Sequence, residues 1–263
     1  MNKLYDTLNP DSFINYKKFT SKNSINNFCV VFVHGLMSNM LGTKATQLSL
    51  YANTIKYDFI AFDNFGHGNS SGRMIDQNIS SWLNGLELVL DKLVGQNQKV
   101  ILVGSSMGGW ISLLAAEKYP NKIHGIIGLA AAPDFTEEIV WNKLPHSKQE
   151  QMMNDGFLEF FGVSKKDSSH YSYKISYDLV LDGRKHLILN KDSINIKQPV
   201  HLIHSLLDDD VPYETSMRLF KKIKSHQAVL KYIKDGDHRL SREQDLVLIL
   251  DSIKWLMNIL NFS

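Results

Sequence analysis

The chain has 263 residues, 43% of them hydrophobic, and a formal net charge of +2 from interspersed acidic and basic side chains. That length suits one large α/β domain or two small ones, and the composition supports a substantial core. The near-neutral balance excludes the basic stripe of a nucleic-acid-binding protein, and the densest basic run, Lys221-Lys222-Ile223-Lys224, reads as a solvated helix face.

The opening stretch, MNKLYDTLNPDSFINYKKFT, has no continuous apolar segment and carries Asp6 and Asp11. It reads neither as a secretory signal nor as a transit peptide, and Phe13 to Phe19 is expected to add an edge strand. The run FCVVFVHG follows, then YDFIAFDN, KVILVGSS, IHGIIGLAAA, PVHLIHS and AVLKYIKDG. Nearly continuous apolar runs of this length are strands buried on both faces, as in a parallel sheet. Cys29, the single cysteine, cannot form an internal disulfide. It is expected to be a small buried hydrophobe, in a reducing compartment taken as the cytoplasm.

Helices are expected at Thr43 to Thr54, Ile79 to Val94, Met107 to Tyr119, Tyr213 to Ile223 and Ser241 to Leu260. The last begins with Ser241 and has Gln244 three residues on, a capping-box signature. Strands alternating with helices give βαβ units, so the fold class is α/β with a doubly wound, mostly parallel sheet. The apolar end, DLVLILDSIKWLMNIL, is interrupted by Asp245, Asp251 and Lys254. It is too short and too charged to span a bilayer, and is expected to pack on the core.

Pro133 to Gln198 breaks the rhythm. It contains a helical piece rich in Phe and Met, KQEQMMNDGFLEFFG, and then YSYKISYDLVLDGRKHLIL. An insertion of this size is expected to form a short cap, at about residues 134–198, over the sheet edge where ligands bind. Within it Trp141, Leu144, Met152, Met153, Phe157, Phe160 and Phe161 point to an apolar pocket. The whole, residues 1–263, reads as one domain with that cap.

The chemistry is concentrated at ILVGSSMGGW, Ile101 to Trp110. Gly104-Ser105-Ser106-Met107-Gly108 matches G-x-S-x-G between a strand and a helix, the setting of a nucleophile elbow. The sharp turn holds Ser106 in a strained conformation, and the glycines remove side chains that would collide with the flanking elements. Ser105, one residue early, should point elsewhere. A serine hydroxyl needs a base to take its proton, and for an elbow on such a sheet the order along the chain is serine, acid, histidine. His226 precedes its strand and belongs at the wrong edge. His238 follows that strand and is the expected base. The acid should close PVHLIHS, where LLDDDVP offers Asp208, Asp209 and Asp210; Asp208 is nearest the strand end and is preferred, with Asp134 a weaker rival. Its task is to orient the imidazole and stabilise imidazolium. Met107, the residue after the nucleophile, supplies one oxyanion-hole N–H.

In DNFGHGNSSG, Ser71 stands where a dinucleotide-binding G-x-G-x-x-G needs its final glycine, so the stretch reads as a tight loop shaping one wall of the pocket. His34 and His67 lie on neighbouring loops without cysteine or glutamate beside them, so no metal is expected. His34 reads as a loop-orienting hydrogen-bonding residue.

The order His34-Gly35, Gly66-His67-Gly68, Gly104-x-Ser106-x-Gly108, Asp208 and His238 resembles that of the α/β-hydrolase superfamily. The segments GTKA, GSSMGGW, DDDVPYETSM and DHR are similar to one branch, which holds a mitochondrial palmitoyl-protein thioesterase and acyl-glucuronide esterase. The likeness runs from about Val30 to Leu256. It implies the α/β-hydrolase fold and a triad of Ser106, Asp208 and His238. In the superfamily's scheme the second oxyanion donor comes from the loop His34-Gly35-Leu36-Met37-Ser38, with Leu36 donating and Gly35 allowing close approach to substrate. One departure is Ser205, where the superfamily usually has glycine.

The function expected is hydrolysis of a small-molecule carboxylic ester or thioester, with an acylated protein as a further substrate class, through an acyl-enzyme and without a cofactor. Elbow-aspartate dehalogenases and epoxide hydrolases do not fit Ser106. The alternatives are a lipase or peptidase on the same fold, or a ligand-binding or scaffold protein without turnover. Acyl length, leaving group and oligomeric state are left open.

Overall fold

The run Phe28–Val33 is buried at every residue because it is a central strand with helices on both faces. The computed structural model describes residues 2–6, 9–21, 27–163 and 170–262. In chain order the sheet strands are β1 (Asn2–Tyr5), β2 (Phe13–Phe19), β3 (Phe28–Val33), β4 (Asp58–Phe62), β5 (Lys99–Ser105) and β6 (Ile123–Leu129). After the insertion, which holds β7 (Phe157–Val163) and β8 (His170–Ser176), come β9 (Val200–Ser205) and β10 (Ala228–Ile233). The eight-stranded order is β1-β2-β4-β3-β5-β6-β9-β10. From β4 to β10 all neighbours run parallel, while β1 and β2 are antiparallel.

Alternation along the strands divides the core. Cys29, Val31 and Val33 join Trp82, Leu86 and Trp110 on one face; Val30 and Phe32 join Leu48, Ile253 and Leu256 on the other. Helices α2 (Ile79–Lys92) and α3 (Met107–Lys118) cover the first face, and α1 (Thr43–Ile55) and α7 (Glu243–Asn261) the second. Helix α6 (Glu214–Lys222) places Leu219 in the first cluster. These helices match the expected ones to within two residues at each end. In α7 the buried residues Ile249, Leu250, Ile253, Leu256, Met257 and Leu260 form one stripe. Each such side chain contributes about 1.5–3 kcal/mol on burial, so packing rather than propensity holds the helix. No described helix is long and apolar enough to cross a membrane.

Three local expectations are corrected. Phe13–Phe19 is the second strand; the edge is Asn2–Tyr5, a short and mostly exposed strand with Leu4 against the core, held to β2 by its backbone ladder. The start of α7 is not capped by Ser241 and Gln244. Asp245 instead accepts from the Arg242 backbone N–H at 3.1 Å and from its guanidinium at 2.8 Å, and Ser241 turns back to the Arg239 carbonyl.

The third correction concerns the cap. Between β6 and β9 the chain forms a π-helical turn at Thr136–Val140, then α4 (His146–Asp155), the β7–β8 hairpin and α5 (Tyr177–Gly183). The Phe- and Met-rich piece is therefore only half helical. Gly156, at φ 79°, ends α4, and the following Phe-Leu-Glu-Phe-Phe pairs with β8 as a strand. Tyr171, Tyr173 and Ile175, at period-two spacing on β8, favour that hairpin once a left-handed glycine has turned the chain. A Cβ on Gly156 would meet nothing within 4 Å. Gly156→Ala should therefore cost only the left-handed strain, about 1–2 kcal/mol, and Gly156→Asn less. Urea unfolding reads this directly; a neutral alanine variant would contradict the turn geometry.

Candidate active site

Ser106 occupies the single residue between β5 and α3, at φ 54° and ψ −120°. Its backbone is held on three sides. The N–H donates to Leu129 O at 2.9 Å, and the carbonyl accepts from Gly109 N–H at 2.9 Å and Ala132 N–H at 3.1 Å. A strained residue persists when its surroundings over-determine it in this way. The glycines are obligatory on steric grounds. A Cβ on Gly104 would lie 2.3 Å from Gly108 O, and one on Gly108 would lie 2.1 Å from Val33 O. From Ile101 to Trp110 every residue is buried except Ser106.

A cleft of about 790 Å³ opens over this serine. Gly35, Leu36, Ser106, Met107 and His238 all border it, so the structure gathers these expected site residues in one place. Ser105 also borders it, from the end of β5, with its side chain mostly buried. Gly35 sits directly on the serine: a Cβ there would be 3.1 Å from the Ser106 Cβ. Met107 opens α3, so its N–H has no intrahelical acceptor.

Asp208 does not border the cleft; it stands behind His238 with its side chain fully buried. Its Oδ2 accepts from His238 Nδ1 at 2.7 Å. Oδ1 accepts from the backbone N–H groups of Asp210 at 2.9 Å and Val211 at 2.8 Å. Burial pushes the carboxyl upward, but hydrogen bonds from His204 and His238 and the Val211 N–H outweigh it and hold Asp208 well below the usual carboxylate range. With Nδ1–H committed to a carboxylate, the other ring nitrogen of His238 is the acceptor. Asp209 and Asp210 are exposed. Asp134, the rival acid, is buried elsewhere and accepts from Ile188 N–H at 2.9 Å and Leu189 N–H at 2.8 Å, which pins the returning end of the cap. Ligand atoms of Asp208, Asp210 and His238 lie within 4.8 Å of one another, the one such group among the described residues.

The cap contributes Phe135, Ile139, Val140, Tyr171, Tyr173 and Ile175 to the cleft. Trp141, Phe157, Phe160 and Phe161, expected there, do not line it. A strand sends alternate residues to opposite faces, so Phe157 and Phe161 lie on the face away from Tyr173 and Ile175. Phe160 lies opposite Tyr173, on the same face of the hairpin, and stacks on it at 5.6 Å. Phe157 sits under Lys174, and Phe161 is 79% exposed. Trp141 packs between Tyr177 and the Arg184 guanidinium. Of the other apolar cap residues, Met152 is core and Met153 is exposed.

Supporting residues beyond the expected set fix the loops. Ser205 donates to the Gly236 carbonyl and accepts from Leu207 N–H, so it joins the acid's loop to the segment before His238. Lys44 donates to the Arg239 carbonyl. The loop of Asp63 to Gly72 is not a wall of the cleft. It braces the loop after β3 from behind: Asp63 accepts from Met40 N–H at 2.7 Å, and Asn64 N–H donates to His34 Nε2 at 2.9 Å. His34 Nδ1–H in turn donates to Gly35 O at 2.8 Å, the loop-orienting role expected of it.

Full burial, with the nearby His67 adding to it, lowers His34 to about 3 against its ordinary 6.5. The folded ring is neutral while the unfolded one gains a proton below that ordinary value. His34 thus contributes stability that is complete above pH 6.5 and declines as pH falls toward 3, at about 1.4 kcal/mol per pH unit. His34→Gln should flatten the stability–pH curve by close to one proton between about pH 6 and 4. Denaturant melts across that range test it; an unchanged slope would refute a neutral buried ring.

Residues 26–159 match the family model Hydrolase_4, described as serine aminopeptidase, S33. The mitochondrial palmitoyl-protein thioesterase ABHD10 of Bos taurus is 31% identical over 231 residues, spanning 87% of this chain and 72% of its own. That of Homo sapiens is 30% identical over 243 residues, 92% of this chain and 76% of its own. Among solved structures, mouse α/β-hydrolase domain-containing protein 10 superposes with a TM-score of 0.84 at 28% identity, over 98% of both chains. A hydrolase from Agrobacterium vitis S4 does so with a TM-score of 0.84 at 31% identity, over 94% of both. By sequence and by fold, the chain belongs to the ABHD10 family of α/β-hydrolases.

Proposed function

We propose that this protein is a serine hydrolase that cleaves carboxylic esters or thioesters. The observation that carries the reading is a strained, partly exposed Ser106 sharing one cleft with a histidine whose far nitrogen is bonded to a buried carboxylate. Those are the parts of an activated nucleophile. Ser106 Oγ attacks the acyl carbon while His238 Nε2 takes its proton, and Asp208 stabilises the imidazolium that forms. The N–H groups of Leu36 and Met107 hold the tetrahedral oxyanion. Collapse expels the alkoxide or thiolate, which leaves with the proton from His238. Water then gives a proton to His238 and its oxygen to the acyl carbon, releasing the acid and restoring Ser106. No step requires a cofactor.

The wall of Phe135, Ile139, Val140, Tyr173 and Ile175 supports an apolar acyl group, since each buried methylene contributes about 0.8 kcal/mol. The palmitoyl-protein thioesterase relatives support a thioester of an acylated protein beside small esters. A fluorophosphonate probe should label Ser106 alone. Ser106→Ala should lose up to roughly a millionfold in kcat on a p-nitrophenyl ester. Asp208→Asn should lose on the order of a thousandfold or more, and Asp209→Asn less than about tenfold. Turnover that survives Ser106→Ala would overturn the assignment. A wild-type protein that neither labels nor turns over would favour a ligand-binding protein on the same fold.

A further inference from the structure

Asp208 has two histidine partners. His238 reaches Oδ2 from the cleft side at 2.7 Å, and His204 Nε2 lies 3.0 Å from the same oxygen. His204 lies near the end of β9, wholly buried, and does not border the cleft. Its Nε2 also faces the Val211 carbonyl at 3.1 Å. Both neighbours are acceptors, so Nε2 carries a proton and donates. The other nitrogen, Nδ1, meets Ser216 Oγ on α6 at 2.6 Å. A continuous chain therefore runs from α6 through Ser216, His204 and Asp208 to His238 at the cleft.

Packing alone does not explain a histidine here. A buried imidazole must be hydrogen-bonded at both nitrogens to avoid a desolvation cost of about 1–3 kcal/mol, and a phenylalanine would fill similar space with no such demand. Elsewhere in the fold His201 is buried with neither nitrogen partnered, its ring tilted against Trp255, so burial of a ring does not by itself bring such a network.

We propose that His204 is a positioning residue for the hydrolytic site: it clamps Asp208 from behind and shares the charge of Oδ2 with His238. The proposal rests on the serine-hydrolase reading above. Two backbone N–H groups hold Oδ1 and two imidazoles hold Oδ2, so the carboxylate cannot rotate about its Cβ–Cγ bond without losing a charge-assisted hydrogen bond. Around Oδ2 the titratable neighbours are His238 from the loop after β10, Asp210 from the acid's own loop, and His204; α6 contributes the Ser216 hydroxyl. Removing the His204 donor leaves more of the carboxylate charge to His238 and favours its protonated form. Removal also lets the carboxylate swing, so fewer molecules hold the imidazole in line.

The test compares His204→Phe, His204→Gln and Ser216→Ala with wild type and with Ser106→Ala. In His204→Phe, kcat should fall about tenfold to a hundredfold with KM within about twofold, as for a misplaced reacting group. The midpoint of the acid limb of kcat/KM should rise by roughly half a pH unit. His204→Gln, whose amide can take the place of Nε2–H, should restore most of both. NMR titration of the His238 ring should show the same upward movement, and it reads the coupling whether or not the protein turns over. Loss of Ser106-dependent turnover in the wild type would sink the hydrolase reading, while an unmoved His238 midpoint in His204→Phe would sink this one. Equal losses in the Phe and Gln variants with an unmoved acid limb would also overturn it, leaving His204 a packing residue. If His204→Phe does not fold, Ser216→Ala decides: a smaller movement in the same direction supports the clamp, and none refutes it.

Discussion

The left-handed backbone of Ser106 is the constraint from which the site follows. A β-strand can pass into an α-helix in one residue only if that residue takes a conformation that side chains other than glycine disfavour. Here the strain is held by hydrogen bonds to Leu129, Gly109 and Ala132 and by contacts so close that Gly104 and Gly108 have no room for a Cβ. The result is a hydroxyl that leaves the core at the one unburied position in a buried stretch. Helix α3 then begins at Met107, with its first N–H groups unsatisfied by the helix itself.

The two loops that complete the site are set by opposite electrostatics. In the loop after β3, His34 is kept neutral by burial, and its two hydrogen bonds tie Gly35 to the Asn64 backbone. Behind His238, Asp208 is kept ionised although it is buried, because N–H donors surround both of its oxygens. One loop needs shape without charge and the other needs charge without solvent. Ser205 links the acid's loop to the segment that carries His238, and Lys44 links α1 to the residue after it. A serine in place of the superfamily's usual glycine thus has a structural use here.

Much of this was legible in the residues. Strands such as FCVVFV and KVILVGS announce themselves because burial on both faces demands continuous apolar side chains. The G-x-S-x-G segment between strand and helix is specific because few other sequences fit that turn. Asp208 could be preferred over Asp209 and Asp210 from its distance to the strand end, and it is the one bonded to His238. The cap was less legible. Glycine at 156 can interrupt or end a helix, and only pairing with the distant His170–Ser176 makes Phe157–Val163 a strand. The faces of Phe157 and Phe161 follow from that pairing, so helical spacing misplaced them. His204 was equally hard to see: in a strand it looks like one more residue of PVHLIHS, and its partners Val211 and Ser216 come from a loop and a helix whose positions depend on the whole fold.

The central claim is covalent: Ser106 carries the acyl group between two half-reactions. Brief mixing with a thioester or activated ester, acid quenching and intact-mass analysis reads it most directly. The account predicts a protein fraction heavier by one acyl group, with the added mass on the peptide containing Ser106 and absent from Ser106→Ala. Acylation at another residue, or steady turnover with label from isotopic water entering the product while Ser106→Ala remains fully active, would contradict it.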